Sequence, residues 1–543
     1  MKTPTTPPDV VQAVETPPPV QIDLSADELQ LRAQGHVSEL PRQFGTWSTL
    51  SLAFSITNSW VGFSAVFPTP LLAGGGPTVF FGLIVATIAC SFITAGLAEL
   101  ASAFPSSGGM YQYALSISLP PKGLLPDILR SFTFMVSSPK YRAATAFTVG
   151  WLSVIAWWFI TATAGIFCAQ LVGNIASFLR PDYVWTQWQI YLIYFLLCTT
   201  AVALVVWLPR QMPMLQTVFF WASIVGFVVF FITVLATSKG KQSASTVFTK
   251  WDNQTGWSDG TAFLLGVGTC MYAYLAVDSV THVAEEMPNP GKGVPRAMAL
   301  TVLIGMLTVF MWTLAFLFSA SDLSEVSVSH LPILTVYYQA LRSKAGAAFF
   351  AAWLLFIYYG ATIGCFLAAG RQTWSFARDN GLPYSKIFAK THPTLQVPVN
   401  ATFPTLVFCV LYGLIYIGST TAYNSFVNLS ILGLNITYAI PQAVVVIRGR
   451  DKVLPKRQFN LGPVLGPICN IFSAVWMLVF TVLFCSPIFL PVTLQNMNYL
   501  SVVVAAVCLF ILILWWGGKR KTFEGPHVEL AEPTGTTHGL KPE

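Results

Sequence analysis

Two acidic residues in this sequence stand where acids are costly. Of the 22 Asp and Glu, only Glu99 and Asp278 fall inside long apolar runs, and none of the 29 Lys and Arg does. An ionisable group in hydrocarbon lines a polar pathway or pairs with another group. Asp278 has three chemistries open to it: neutralising an amine, carrying a coupling proton, or capping and pairing within a helix bundle. Glu99 lies at the end of its run, near water, and reads as structural pairing. Asp278 closes the stretch Tyr272-Ala273-Tyr274-Leu275-Ala276-Val277-Asp278, which follows Gly266 and Gly268 in an otherwise apolar run. An earlier run is interrupted in the same way by Thr57-Asn58-Ser59-Trp60-Val61-Gly62-Phe63-Ser64. A helix weakened by Gly and polar residues can unwind there. The half-helix that follows presents free amides suited to an anionic group such as a carboxylate, which makes Gly62, Phe63 and Ser64 candidate contacts. The other reading is a packing patch of small residues. Trp157, Trp158, Tyr272 and Tyr274 offer ring faces that attract ammonium and quaternary amines, or serve as packing and interface anchors. Asn424, Asn428, Asn435 and Thr362 can bond a ligand or join helices. His282, the only histidine near an apolar run, reads as packed or interfacial in preference to a proton relay.

Membrane helices must position these residues. A chain of 543 residues with 54% hydrophobic and 9% charged residues lacks the hydrated surface of a soluble domain, in which about a quarter of residues are charged. At roughly 20 apolar residues per crossing, twelve runs qualify: 47–72, 79–104, 143–179, 190–208, 215–237, 261–284, 297–318, 345–369, 401–417, 425–446, 468–485 and 500–516. The expected architecture is an all-α polytopic membrane protein, with a tail at 1–45, a transmembrane domain at 46–516 and a second tail at 517–543. The first tail is Pro- and Thr-rich and both are polar, so both read as disordered. With the N-terminus inside, all but six of the 29 basic residues fall on the inner side, including Arg448, Arg450, Lys452, Lys456 and Arg457. That asymmetry places both termini in the cytoplasm. Lys239, Lys241 and Lys250 dissent in an outer loop that also carries the sequon Asn253-Gln254-Thr255, a glycosylation candidate. The net charge of +7 therefore reads as topology and not as affinity for nucleic acid. All nine cysteines lie in apolar segments without ligand spacing, which argues against zinc and disulfides. No phosphate-binding loop, nucleotide fingerprint or intramembrane nucleophile–base set is present, so no cofactor and no enzymatic chemistry are expected. The N-terminus does not read as a cleavable signal peptide.

Three segments resemble one family. Residues 99–114, reading ELASAFPSSGGMYQYA, are similar to the segment after span two of amino acid–polyamine–organocation transporters. Residues 282–290, HVAEEMPNP, with VPRAM at 294–298, resemble the sequence after span six. Residues 371–383, RQTWSFARDNGLP, look like the loop after span eight in the fungal amino acid, choline and 4-aminobutyrate branch. With LGP at 461–463 and the stretch 491–499, the resemblance covers about residues 45–515. It implies a LeuT-type fold, in which spans one to five and six to ten form inverted repeats and substrate is held at interruptions in spans one and six. On this resemblance the first interruption matches Gly62, Phe63 and Ser64, and the second matches Tyr272 to Asp278. Tyr272 falls where relatives place an aromatic gate and Asp278 where several place an acid. Some proton-coupled relatives use a lysine in span five, but residues 215–237 contain no basic residue. The resemblance implies a secondary transporter that imports small amino-bearing solutes, with the proton as coupling ion and the plasma membrane as its expected place. Amino acids such as 4-aminobutyrate, choline and polyamines all remain open as substrates, and a non-transporting nutrient sensor is the reading from another class.

Overall fold

The computed structural model describes residues 28, 31, 39–117, 139–493, 496–523 and 525, with the backbone path alone at 116–117, 139–141 and 420–427. Most of the two tails, and the side chain of Asn424, lie outside the described residues. Within them, twelve helices are long and apolar enough to cross a membrane. Spans one to six are Thr46–Leu72, Gly75–Ala103, Arg142–Leu179, Gln187–Trp207, Pro209–Thr237 and Asp259–Glu286. Spans seven to twelve are Pro290–Ser319, Lys344–Arg378, Val399–Gly418, Asn428–Arg448, Gly462–Cys485 and Leu500–Thr522. Helices satisfy every backbone polar group within one segment, as hydrocarbon demands. The one β-bridge among the described residues joins Ala73 to Asn253 in a loop.

The spans sort by how much they bury. In its most apolar stretch span one is 89% buried and span three 83%, whereas span twelve is 11%. Spans one, three, six, eight and ten therefore form the centre. Outward-facing Val475, Leu478 and Val482 of span eleven and Val502, Leu509 and Ile513 of span twelve are exposed apolar surface for lipid. Span two packs on seven, three on eight and four on nine, and the halves of one meet the halves of six. Pairing of spans five places apart gives the fold that the resemblance implies.

Spans one and six are broken. Span one runs as Thr46–Thr57, then Ser59–Val66, with Asn58 between them in the left-handed region at φ 30°. Asparagine tolerates that region better than other L-residues because its short amide bonds locally, and here Oδ1 accepts from Ser223 Oγ at 2.9 Å. Ser223 in turn accepts from Trp60 Nε1 at 3.0 Å, so span five holds both sides of the break. Within the expected interruption Thr57–Ser64 the break falls at Asn58, and Gly62, Phe63 and Ser64 belong to the second half-helix. Gly62 is helical, its N–H donating to Asn58 O at 2.8 Å. Span six runs as the helix Asp259–Cys270, a tight turn Met271–Tyr274, a non-helical passage, and a second turn of helix Ser279–Glu286. Ala276 sits in that passage at φ 64°, and Tyr274 OH bonds Thr87 Oγ1 of span two at 2.7 Å.

Several helices run further than their apolar cores. Span eight continues past residue 369 to Arg378 and carries Arg371 into the interior with no exposure. The expectation that no basic residue lies within a span is corrected accordingly: a buried guanidinium is tolerated where a carboxylate meets it. Arg371 Nε lies 2.8 Å from Glu286 Oε1, and Arg378 binds Glu285 at 2.8 and 2.9 Å. Gln43 Nε2 donates to Glu286 Oε2 and Phe44 N–H to Glu286 O. Together these contacts lock the starts of span one and the ends of spans six and eight. Leu40 and Phe44, within the expected N-terminal tail, are buried there.

Candidate functional site

The two breaks meet on one cavity. Its wall includes Thr57, Asn58 and Gly62 of span one, Tyr272 and Ala276 of span six, and Tyr358 of span eight, around a small space of about 30 Å³. Ile160 and Ala164 of span three complete the side facing span eight. No ionised side chain lines it. Phe167 meets the rings of Tyr272 and Tyr358 edge-on, with centroids 6.4 and 6.1 Å away. That leaves an aromatic wall over a floor made of backbone.

Polar groups at this cavity lack protein partners. Thr57 Oγ1, Asn58 Nδ2 and Tyr358 OH are buried and have no hydrogen-bond partner among the described residues. Such a group costs about 1–3 kcal/mol when left unsatisfied, and three of them belong to residues that line this one space. The backbone adds direction. Ser59, Trp60 and Val61 open the second half of span one, where the first amides of a helix have no intrahelical acceptor and the dipole favours an anion. The first half of span one ends at Thr57, whose carbonyl faces the same space and lies 3.6 Å from where a Cβ on Gly62 would be. The amides that open one half-helix and the carbonyl that ends the other therefore stand side by side.

The sequence candidates divide at this cavity. Gly62 and Tyr272 line it. Phe63 is buried in the core away from it. Ser64 Oγ donates to Trp60 O at 2.7 Å and accepts from Trp312 Nε1 at 2.8 Å. Tyr274 is held by Thr87, and Trp158 Nε1 donates to Thr373 Oγ1 at 3.1 Å. Thr362 donates to Tyr358 O at 3.0 Å, and Asn435 to Ile431 O at 2.8 Å, both within their own helices. Glu99 is tied to Arg450 and Arg457 at 2.7 and 2.6 Å and accepts from Leu461 N–H, which is the structural pairing expected of it. Asn253 Nδ2 donates to Trp257 O and Asp259 Oδ1 at 2.8 and 2.9 Å.

Asp278 lies two residues beyond Ala276 and is fully buried. Its carboxylate does not face the cavity. Oδ1 accepts from Tyr438 OH of span ten, and Oδ2 from Trp157 Nε1 of span three at 3.2 Å. His282 Nε2 lies 3.2 Å from the same Oδ2. Trp157 is thereby placed on Asp278, and its ring meets that of His282 edge-on at 5.2 Å. Sequence reasoning named Thr57 only as part of the polar patch, did not single out Tyr358, and set His282 aside. The i,i+4 spacing of Asp278 and His282 was the available signal, since it puts both on one helical face.

A family model described as amino acid permease matches residues 44–508. The chain is 32% identical over 494 residues to a choline transporter of Saccharomyces cerevisiae, covering 90% of this chain and 84% of that one. It is 30% identical over 523 residues to an uncharacterized amino-acid permease of Schizosaccharomyces pombe, covering 94% and 91%. A 7-keto 8-aminopelargonic acid transporter of Saccharomyces cerevisiae is 27% identical over 516 residues, covering 87% and 91%.

Proposed function

The chain belongs to the amino acid permease family, and from that premise we propose that it imports small amino-bearing solutes across the plasma membrane by proton-coupled secondary transport. The observation that carries the proposal is the cavity between the two breaks, where Thr57, Asn58 and Tyr358 present unpartnered polar atoms. A substrate carboxylate would take the amides at Ser59–Val61. Its amine would take the Thr57 carbonyl and the faces of Tyr272 and Tyr358. Breaks of this kind allow one set of helices to rock against another around a fixed site.

A second reading, a quaternary amine such as choline, draws on the absence of a carboxylate in the cavity wall. A quaternary nitrogen donates no hydrogen bond and is held by ring faces, which Tyr272 and Tyr358 supply. The relative named a choline transporter supports the same reading.

In the same proposal both termini are cytoplasmic and the loop of Asn253 faces outward. A glycan on Asn253 would be added before the loop closes, because the folded loop occupies Nδ2. Uptake of labelled amino acids, 4-aminobutyrate, choline and polyamines into proteoliposomes tests the assignment. One class should accumulate against its gradient only while a proton gradient is imposed. Accumulation that ignores a protonophore, or none for any of these solutes, would overturn it.

A further inference from the structure

We propose that the coupling proton is held between His282 and Asp278, and that Ser107 ties its release to the end of the bundle closed by Glu285 and Arg378. The proposal rests on the transporter reading above and assigns its proton site. His282 Nδ1 lies 3.1 Å from Ser107 O. A backbone carbonyl only accepts, so Nδ1 carries a hydrogen. A neutral imidazole in that tautomer turns the lone pair of Nε2 toward Asp278 Oδ2, 3.2 Å away. Two acceptors would then face each other. The contact becomes a hydrogen bond when one further proton lies on that line, as imidazolium with carboxylate or as imidazole with carboxylic acid. Both forms contain the same atoms, and the pair is neutral. Loss of that one proton leaves a single negative charge beside the break in span six.

Among the described residues, His282 is the charged group in contact with the Asp278 carboxylate, while Arg142 and Arg448 lie at the ends of spans three and ten and Asp379 is bonded to Tyr111 and Gln112. Tyr438 and Trp157 donate to the carboxylate, and Tyr113, on the helix Met110–Ile117, lies within electrostatic reach of Asp278. On the same element Glu285 and Glu286 are matched by Arg378 and Arg371 of span eight. The packed half of span one, Thr46–Thr57, contains no ionisable residue, and Lys292 and Arg296 at the start of span seven are exposed. His282 is the ion-pair partner Asp278 has among the described residues.

Ser107 connects this pair to the closed end. Its carbonyl fixes His282, and its N–H donates to Glu285 Oε1 at 3.2 Å. Glu285 is the carboxylate that Arg378 grips. Parting of Glu285 from Arg378 moves Ser107, frees the tautomer of His282 and lets the proton leave on that side.

Two measurements on the full-length purified chain test this. In protein with 15N-labelled histidine, the signal missing from His282→Gln belongs to His282. It should show a protonated Nδ1 throughout about pH 5 to 9, and an Nε2 proton lost in the same step as the infrared band of the Asp278 carboxyl changes. A bare Nδ1 with a permanently protonated Nε2 would overturn the proposal without any variant having to transport. In proteoliposomes given labelled choline and a proton gradient, His282→Gln should fall to an accumulation ratio of one, and its counterflow should lose the pH dependence of the wild type. Wild-type accumulation by His282→Gln would also overturn it. A wild type that accumulates neither choline nor any of the labelled amino acids, 4-aminobutyrate and polyamines under the proton gradient would instead sink the transporter reading, and the 15N result would still decide whether the pair holds the proton.

Discussion

Tyr358 carries a buried hydroxyl that no protein group meets, so Tyr358→Phe separates ligand binding from folding. Removing an unsatisfied hydroxyl leaves stability unchanged or raises it, whereas a lost ligand hydrogen bond costs about 1 kcal/mol, roughly a fivefold loss of apparent affinity. Uptake kinetics beside a thermal melt check both, and an unchanged affinity would remove Tyr358 from the site. Gly62 gives a graded test. A Cβ there would rest 3.5 Å from Tyr272 in ordinary contact, so Gly62→Ala should transport. Gly62→Val drives branched methyls into the cavity and should abolish uptake at normal surface expression; wild-type uptake by it would reduce the patch to packing. Gly62 and Tyr272 were legible because Gly and Tyr are conspicuous beside a polar interruption. Tyr358 was not, because it lies mid-run in span eight and residue type does not reveal which face of a buried helix looks inward.

At the level of elements, the breaks were legible as places and not as residues. The polar patch from Thr57 to Ser64 marked span one, but the choice of Asn58 depends on Ser223 and Trp60, partners brought together only by tertiary packing. Extension of span eight to Arg378 was likewise hidden, because its charges are tolerated only opposite Glu285 and Glu286. These elements give two opposed predictions, both read by labelling Ser106→Cys with an impermeant maleimide. Ala276 occupies the left-handed region at a cost of about 1–2 kcal/mol for an L-residue. Ala276→Gly relieves that cost in this conformation and should lower labelling. Arg378→Ala leaves Glu285 buried without its two-point partner, a loss of about 3–5 kcal/mol, and should raise labelling. Equal labelling of either variant and its parent would show that the element does not set the conformational balance.

For the whole molecule, the number of spans was written in apolar run length, the strongest signal a membrane sequence carries, and the importance of spans one and six in their polar interruptions. The proposed orientation rests on the basic loops. An epitope at Gly240 should be detected on intact cells, and one at Lys452 only after permeabilisation; the reverse would invert the topology. An endoglycosidase mass shift absent from Asn253→Gln would place the same loop outside by a separate route. One feature of the interior also sets an electrical limit. Glu99, Glu285 and Glu286 are occupied by arginines, and the proton site proposed at the His282–Asp278 pair has a place for one proton. A carrier that moves one proton with a zwitterion transfers one positive charge per cycle. A potential of about 100 mV then supplies about 2.3 kcal/mol and one pH unit about 1.4 kcal/mol, which together sustain roughly a 500-fold solute gradient. A solute with its own positive charge would add a second 2.3 kcal/mol, so a current measured beside uptake would distinguish a zwitterion from a cation by the charge moved per molecule.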